Sequence, residues 1–197
     1  MSNEKNFFEQ QIASLRNLTS IHQYLETNAS TMDASSILRA EYVLIVSAFD
    51  NYLHSIVRRK IRENFFSSHY LPNNLSLPIT DYLSVHNESN VGLQEQLLDV
   101  SIKRCLEKDS YQSPISVEYA LNLLNIKKIW SSCSSVFGDT ADNVKNRLAL
   151  IIQRRNQIAH ESDIDSTGMQ RSINSQAISD CREFFLKFVS VIDSLIV

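Results

Sequence analysis

Glycine and proline are scarce, three of each in 197 residues, about 3% where an average chain carries roughly 12%. A β-sandwich or barrel needs turn residues every ~8–12 positions, and this chain cannot supply them. The expectation is therefore an all-α fold. Cysteine is scarce as well. Cys105, Cys133 and Cys181 lie far apart, odd in number and with no Cys-x-x-Cys pair. Neither a disulfide framework nor a zinc site reads out of that spacing, so a reducing compartment is the default. No apolar run approaches the ~20 residues that span a bilayer. The opening MSNEKNFFEQ holds no stretch of signal-peptide type. The expectation is a soluble, cytoplasmic protein without membrane contact.

An excess of either charge is also missing. Nineteen Lys and Arg stand against 22 Asp and Glu, a net charge of −3. A generic nucleic-acid coat protein needs a basic footprint and is disfavoured, while a small, local phosphate site stays open. There is no P-loop, no glycine-rich dinucleotide turn and no HExxH zinc helix. No metal and no cofactor are expected.

What is present is apolar residues at helical spacing, 43% of the chain being hydrophobic, enough for one domain with a sizeable core. Residues 4–27 place Phe7, Phe8, Ile12, Leu15, Leu18, Ile21, Tyr24 and Leu25 at three-to-four spacing. Asp33 caps a second helix, about 33–67, without Gly or Pro inside it. Its centre, YVLIVSAFDNYLHSIV, is apolar nearly all round and should run through the middle of a bundle. Pro72 and Pro78 with Asn73 and Asn74 mark a loop at 68–79, and a polar region with short helical pieces follows at 80–109. Ser113–Pro114 opens a helix read as running to Phe137, where Gly138 ends it. Asp139 or Thr140 caps the next, about 140–161, and a polar loop, ESDIDSTGMQRS, leads to a last amphipathic helix at 174–196. The sum is a single-domain bundle of five or six helices.

The helix at 140–161 carries the informative residues. On a wheel of ~100° per residue, Val144, Leu148, Ile151, Ile152, Ile158 and Ala159 fall together. Arg155 falls in the middle of that stripe, whereas Arg154 falls nearer its edge and is expected to be solvated. An arginine aimed at a core needs something anionic to meet it. Asn156 and His160 stand at i and i+4, neighbours on an adjoining face. A cation, an amide and a titratable imidazole thus gather within about one and a half turns. A plainer reading has Arg155 paired with a buried carboxylate and His160 merely ending the helix, where an imidazolium suits the dipole. Glu41 falls among Leu38, Ile45, Ala48, Tyr52 and Ile56, again a charge in an apolar stripe. It is the carboxylate expected to meet Arg155, as a core ion pair or as part of a site. Asp50 and His54 form another i,i+4 pair. It can orient an imidazole near a site, though such a pair is more often a structural salt link.

The string RRNQIAHESD, with Arg155, Asn156 and His160 in the order Arg-Asn-x-x-x-His, resembles the signature of HEPN domains. The stretch LRAEYVLIVSAFDNYLHSIV at 38–57 resembles the central helix of the RiboL-PSP subgroup, with its Ser-Ala-x-Asp-x-Tyr-x-His run. Residues 80–137 align with nothing in the resemblance and read as a candidate lineage-specific insertion in one HEPN-like domain, 1–197. The resemblance implies a helical homodimer in which two Arg-x4-6-His motifs face one composite cleft. It implies a metal-independent endoribonuclease of defence, toxin–antitoxin or RNA-processing type, with RNA as substrate and an antitoxin or regulatory protein as a further partner. Arg155, His160 and Asn156 are then the catalytic candidates, and Glu41, Asp50, His54 and Arg154 the supporting ones. Some relatives have lost catalysis and bind nucleotide, RNA or a protein instead. A third reading makes the chain a helical partner protein whose motif is structural or a modification target of a nucleotidyltransferase.

The chemistry fits the residue types. Without a metal, the RNA 2′-hydroxyl attacks the adjacent phosphorus, which takes a base, an acid for the departing 5′-oxygen and a cation for the phosphorane charge. An imidazole suits the proton transfers, and a guanidinium offers a planar fork to phosphate oxygens. One motif supplies one histidine, so separate acid and base roles call for two chains. Lys145, Arg147, Arg154 and Arg171 would give a modest basic rim.

Overall fold

The computed structural model describes residues 1–29 and 31–196. Among them stand eight helices and no named strand: α1 (Asn3–Asn28), α2 (Ser35–Ser68), α3 (Ile79–Asn87), α4 (Val91–Leu106), α5 (Pro114–Asn122), α6 (Ile129–Phe137), α7 (Ala141–His160) and α8 (Ser175–Ile196). The all-α expectation holds, but the number of helices is eight rather than five or six. Two segments account for the difference. The region 80–109 forms two full helices, α3 and α4, the second opened by the Asn90 side chain accepting from Leu93 N–H. The segment read as one helix to Phe137 breaks at Asn125, whose φ of 60° is left-handed. Asn tolerates that backbone better than most residues, and the N–H groups of Leu124 and Ile126 fold back onto the Leu121 carbonyl.

The helices cluster in two compact units. The first comprises Met1–Tyr52 with Trp130–Leu195, the second Leu53–Ile129 with Ile196. In the first, α8 buries one whole face: Ile178, Cys181, Phe184, Phe185, Phe188 and Ile192 recur at three-to-four spacing and are all buried. Phe185 stacks on Phe49 of α2 with ring centroids 4.7 Å apart, and Trp130 stacks on Phe188 at 5.6 Å. The start of the chain is tied to the end of α8, because Ser2 donates from its backbone N–H and its hydroxyl to the buried Asp193 carboxylate. The Ser2 hydroxyl also caps α1 by accepting from Lys5 N–H. The buried face of α1 is narrower than its apolar spacing suggests. Phe8 and Ile12 are covered, whereas Phe7, Ile21 and Tyr24 are exposed and His22 takes an inside position.

The second unit packs the rear of α2 through Leu53, Ile56, Val57 and Ile61, with Leu98, Ile102, Tyr111 and Leu121 also buried in it. Asp99 of α4 meets Arg58 and Arg62 of α2, each at 3.3 Å. The apolar centre of α2 is thus buried in both units, with Leu44, Ser47 and Asn51 as its one exposed edge. No described helix is long and apolar enough to cross a membrane.

Candidate active site

Helix α7 begins where Thr140 accepts the Asn143 N–H through its hydroxyl at 3.2 Å, which settles Thr140 over Asp139 as the cap. Asp139 braces the same turn from outside through Thr140 N–H and the Asn143 amide. Val144, Leu148, Ile151 and Ile152 bury the first three turns. The cover then fades. Ile158 is half-buried, Ala159 exposed and His160 exposed in the last turn. The apolar stripe read from the sequence is therefore real up to Ile152 and open beyond it. The segment that carries the Arg-Asn-x-x-x-His motif is the uncovered end.

The two arginines exchange the roles expected of them. Arg155 is half-buried and does not meet Glu41. Its Nη1 donates to Asn156 Oδ1 at 2.9 Å, and its Nε lies out of water with no partner among the described residues. Asn156 accordingly binds Arg155, its neighbour, rather than His160. Glu41, fully buried as its place in the stripe requires, faces α8 instead. Arg182 Nε stands 3.3 Å from its Oε1, the Thr19 hydroxyl donates to Oε2 at 2.6 Å, and Arg182 Nη2 donates to that hydroxyl at 2.9 Å. The wheel was right about burial and silent on direction. Once Arg182 is nearer, the buried carboxylate needs no second cation.

Arg154, expected in solvent, is the arginine with a carboxylate. Both its Nη atoms donate to Asp163, Nη2 reaching Oδ2 at 2.9 Å, and Nη2 also donates to the Ser172 carbonyl at 3.1 Å. Arg39 of α2 donates to the same Asp163 Oδ2 through Nε at 2.7 Å. Asp163 and Arg39 were missed from the sequence. Asp163 lies in a polar loop where a charge looks solvated, and Arg39 sits in a turn shared with Ser35, so neither shows as an anomaly on a wheel. That loop is in fact folded: Ile164 and Gln170 pair as an isolated bridge, and Gly168 turns the chain at φ 81°. Asp165 Oδ1 takes the N–H groups of Thr167 and Met169 and the Thr167 hydroxyl. Those bonds, the Thr167 hydroxyl first, hold the Asp165 carboxyl below the usual carboxylate range.

The remaining candidates separate by environment. Asp50 is half-buried on the part of α2 in the first unit. His54 belongs to the second unit, where its ring stacks on Tyr111 with centroids 4.3 Å apart. The rim cations Lys145 and Arg147 lie over the rings of Trp130 and Phe184, so they cover aromatic faces. Among the described residues no three His, Cys, Asp or Glu side chains converge as a metal site.

Arg154 and Glu41 are committed to the protein's own charges, whereas Arg155 bonds only to Asn156 and His160 is exposed at the end of the same helix. Residues 11–197 match the model of the RiboL-PSP-HEPN family. No curated protein and no solved structure matches the chain.

Proposed function

The chain belongs to the RiboL-PSP-HEPN family, and from that footing we propose that it is a metal-independent endoribonuclease of a defence or toxin–antitoxin type system. One observation carries the reading. Of two adjacent arginines at allowed spacing from His160, Arg154 is held by a carboxylate, while Arg155 meets only an amide and leaves Nε out of water without an acceptor. A buried donor without an acceptor costs free energy. A phosphate oxygen would satisfy it with a charge-assisted bond.

In this reading residues 1–197 act as one HEPN-like domain that pairs in the cytoplasm as a two-fold homodimer. The open end of α7 lines a cleft shared by two copies. The His160 imidazole of one copy takes the proton of the 2′-hydroxyl, and the hydroxyl oxygen bonds to the adjacent phosphorus. Arg155 stabilises the charge on the non-bridging oxygens. The P–O5′ bond breaks as His160 of the second copy gives its proton to the leaving oxygen. The products are a 2′,3′-cyclic phosphate and a 5′-hydroxyl. Asn156 holds the guanidinium that binds the phosphate. An antitoxin or regulatory protein would control the cleft from outside the chain.

The test is incubation of the purified protein with a mixed RNA pool in EDTA, followed by analysis of the new ends. Cleavage with cyclic phosphate ends supports the enzyme. RNA that is retained but never cut would assign the chain to the non-catalytic binding members of the family.

A further inference from the structure

Asp163 stands three residues beyond His160, fully buried. It receives two guanidinium groups, Arg39 from α2 and Arg154 from α7. One further donor of each arginine goes to the backbone of the returning chain. Arg39 Nη2 donates to the Arg171 carbonyl at 2.6 Å, and Arg154 Nη2 donates to the Ser172 carbonyl. Arg39 Nη1 donates to the Ser35 hydroxyl at 2.6 Å. The Arg171 N–H in turn donates to the Asp163 carbonyl at 2.8 Å. The clamp also closes on α7 itself, because the Gln157 carbonyl accepts from both Glu161 N–H and Asp163 N–H, at 3.1 and 2.9 Å. Gln157 and His160 share the last turn of the helix.

The backbone just beyond His160 leaves the helix through a left-handed turn. Ser162 and Asp163 both adopt left-handed φ, 55° and 57°. Side-chain-bearing residues persist there only when their surroundings hold them. Glycine would adopt those angles without strain. A loop that merely had to be anchored would need one cation on the carboxylate rather than two. The excess of restraint falls on the turn that ends in His160.

We propose that the Arg39–Asp163–Arg154 clamp is a positioning device for His160, fixing the last turn of α7 so that the imidazole stands ready for proton transfer. The proposal rests on the endoribonuclease reading given above. The clamp also explains the division of labour between the adjacent arginines, since a guanidinium bound on two atoms to Asp163 is withdrawn from substrate.

The experiment compares wild type with Asp163→Asn and with Arg39→Lys. Lysine keeps the charge but cannot reach Asp163, Ser35 and Arg171 together. Steady-state cleavage of one RNA in EDTA is measured beside the imidazole resonances of histidine-labelled protein, with His160 assigned through His160→Gln. We expect Asp163→Asn to move or broaden the His160 resonance while the other four histidines keep theirs. We expect kcat to fall by about 10- to 100-fold with KM unchanged within about twofold. Arg39→Lys should act in the same direction and less. If Asp163→Asn does not fold, Arg39→Lys decides. An unchanged His160 resonance, an unchanged kcat or a loss carried wholly by KM in a folded variant overturns the proposal. If the wild type itself does not cut RNA, the endoribonuclease reading fails, and the His160 resonance still decides whether the clamp fixes the imidazole.

Discussion

Arg154 and Arg155 differ by about 100° around α7, and that rotation separates a cation paired with a carboxylate from one that meets only an amide. Arg154 spends its donors on Asp163 and Ser172, whereas Arg155 has only Asn156. Arg154→Ala removes charged hydrogen bonds from a buried carboxylate and should destabilise the fold by about 1–3 kcal/mol. Arg155→Ala removes none of those bonds and should leave stability within about 0.5 kcal/mol of wild type while ending RNA cleavage. Urea denaturation of the two variants, read beside their activity, checks the contrast. Equal destabilisation would mean that the two side chains share one structural role. Glu41 is the third residue of this kind. Fully buried and paired with Arg182 and Thr19, it supports the core, so Glu41→Ala should cost about 3 kcal/mol by leaving the half-buried Arg182 guanidinium without its carboxylate. Denaturation with a midpoint near that of wild type would contradict the pairing.

At the scale of elements, what could be read from the sequence was what depends on periodicity and caps. The long α2, the Thr140 start of α7, the Gly138 stop of α6 and the amphipathic α8 follow from residues within a few positions of one another. The Asn125 break was hidden because Leu124, Ile126 and Ile129 keep an apolar spacing through it, and only the left-handed φ reveals the end of α5. The candidate site is legible only as far as one helix reaches: Arg155, Asn156 and His160 all lie on α7. Arg182 and Asp163, the true partners of Glu41 and Arg154, come from other parts of the chain that a wheel of one helix cannot see. Burial on α6 and α8 has a chemical consequence. It pushes the Cys133 and Cys181 thiols up to about 12, so at pH 8 each is protonated as well as covered. Iodoacetamide at pH 8 should leave both unmodified in the folded protein and modify both in denaturant, as read by peptide mass spectrometry. Rapid labelling of either in the native state would show that these helices open.

For the whole molecule, the proposed chemistry needs two imidazoles, and each chain brings one to the open end of α7. Activity should therefore follow dimerisation. Specific activity should fall on dilution at the concentration where sedimentation shows the dimer separating. A monomer that retains full activity would remove the composite cleft even if the chain is a nuclease. The most direct test of the central claim is the rate of RNA cleavage in EDTA by wild type and by His160→Ala, with the product ends identified. We expect the wild type to leave 2′,3′-cyclic phosphate ends, and His160→Ala, folded and with an unchanged melting temperature, to leave the RNA intact. Cleavage that survives the substitution, or that stops in the wild type when EDTA is added, would contradict a metal-free mechanism built on this histidine.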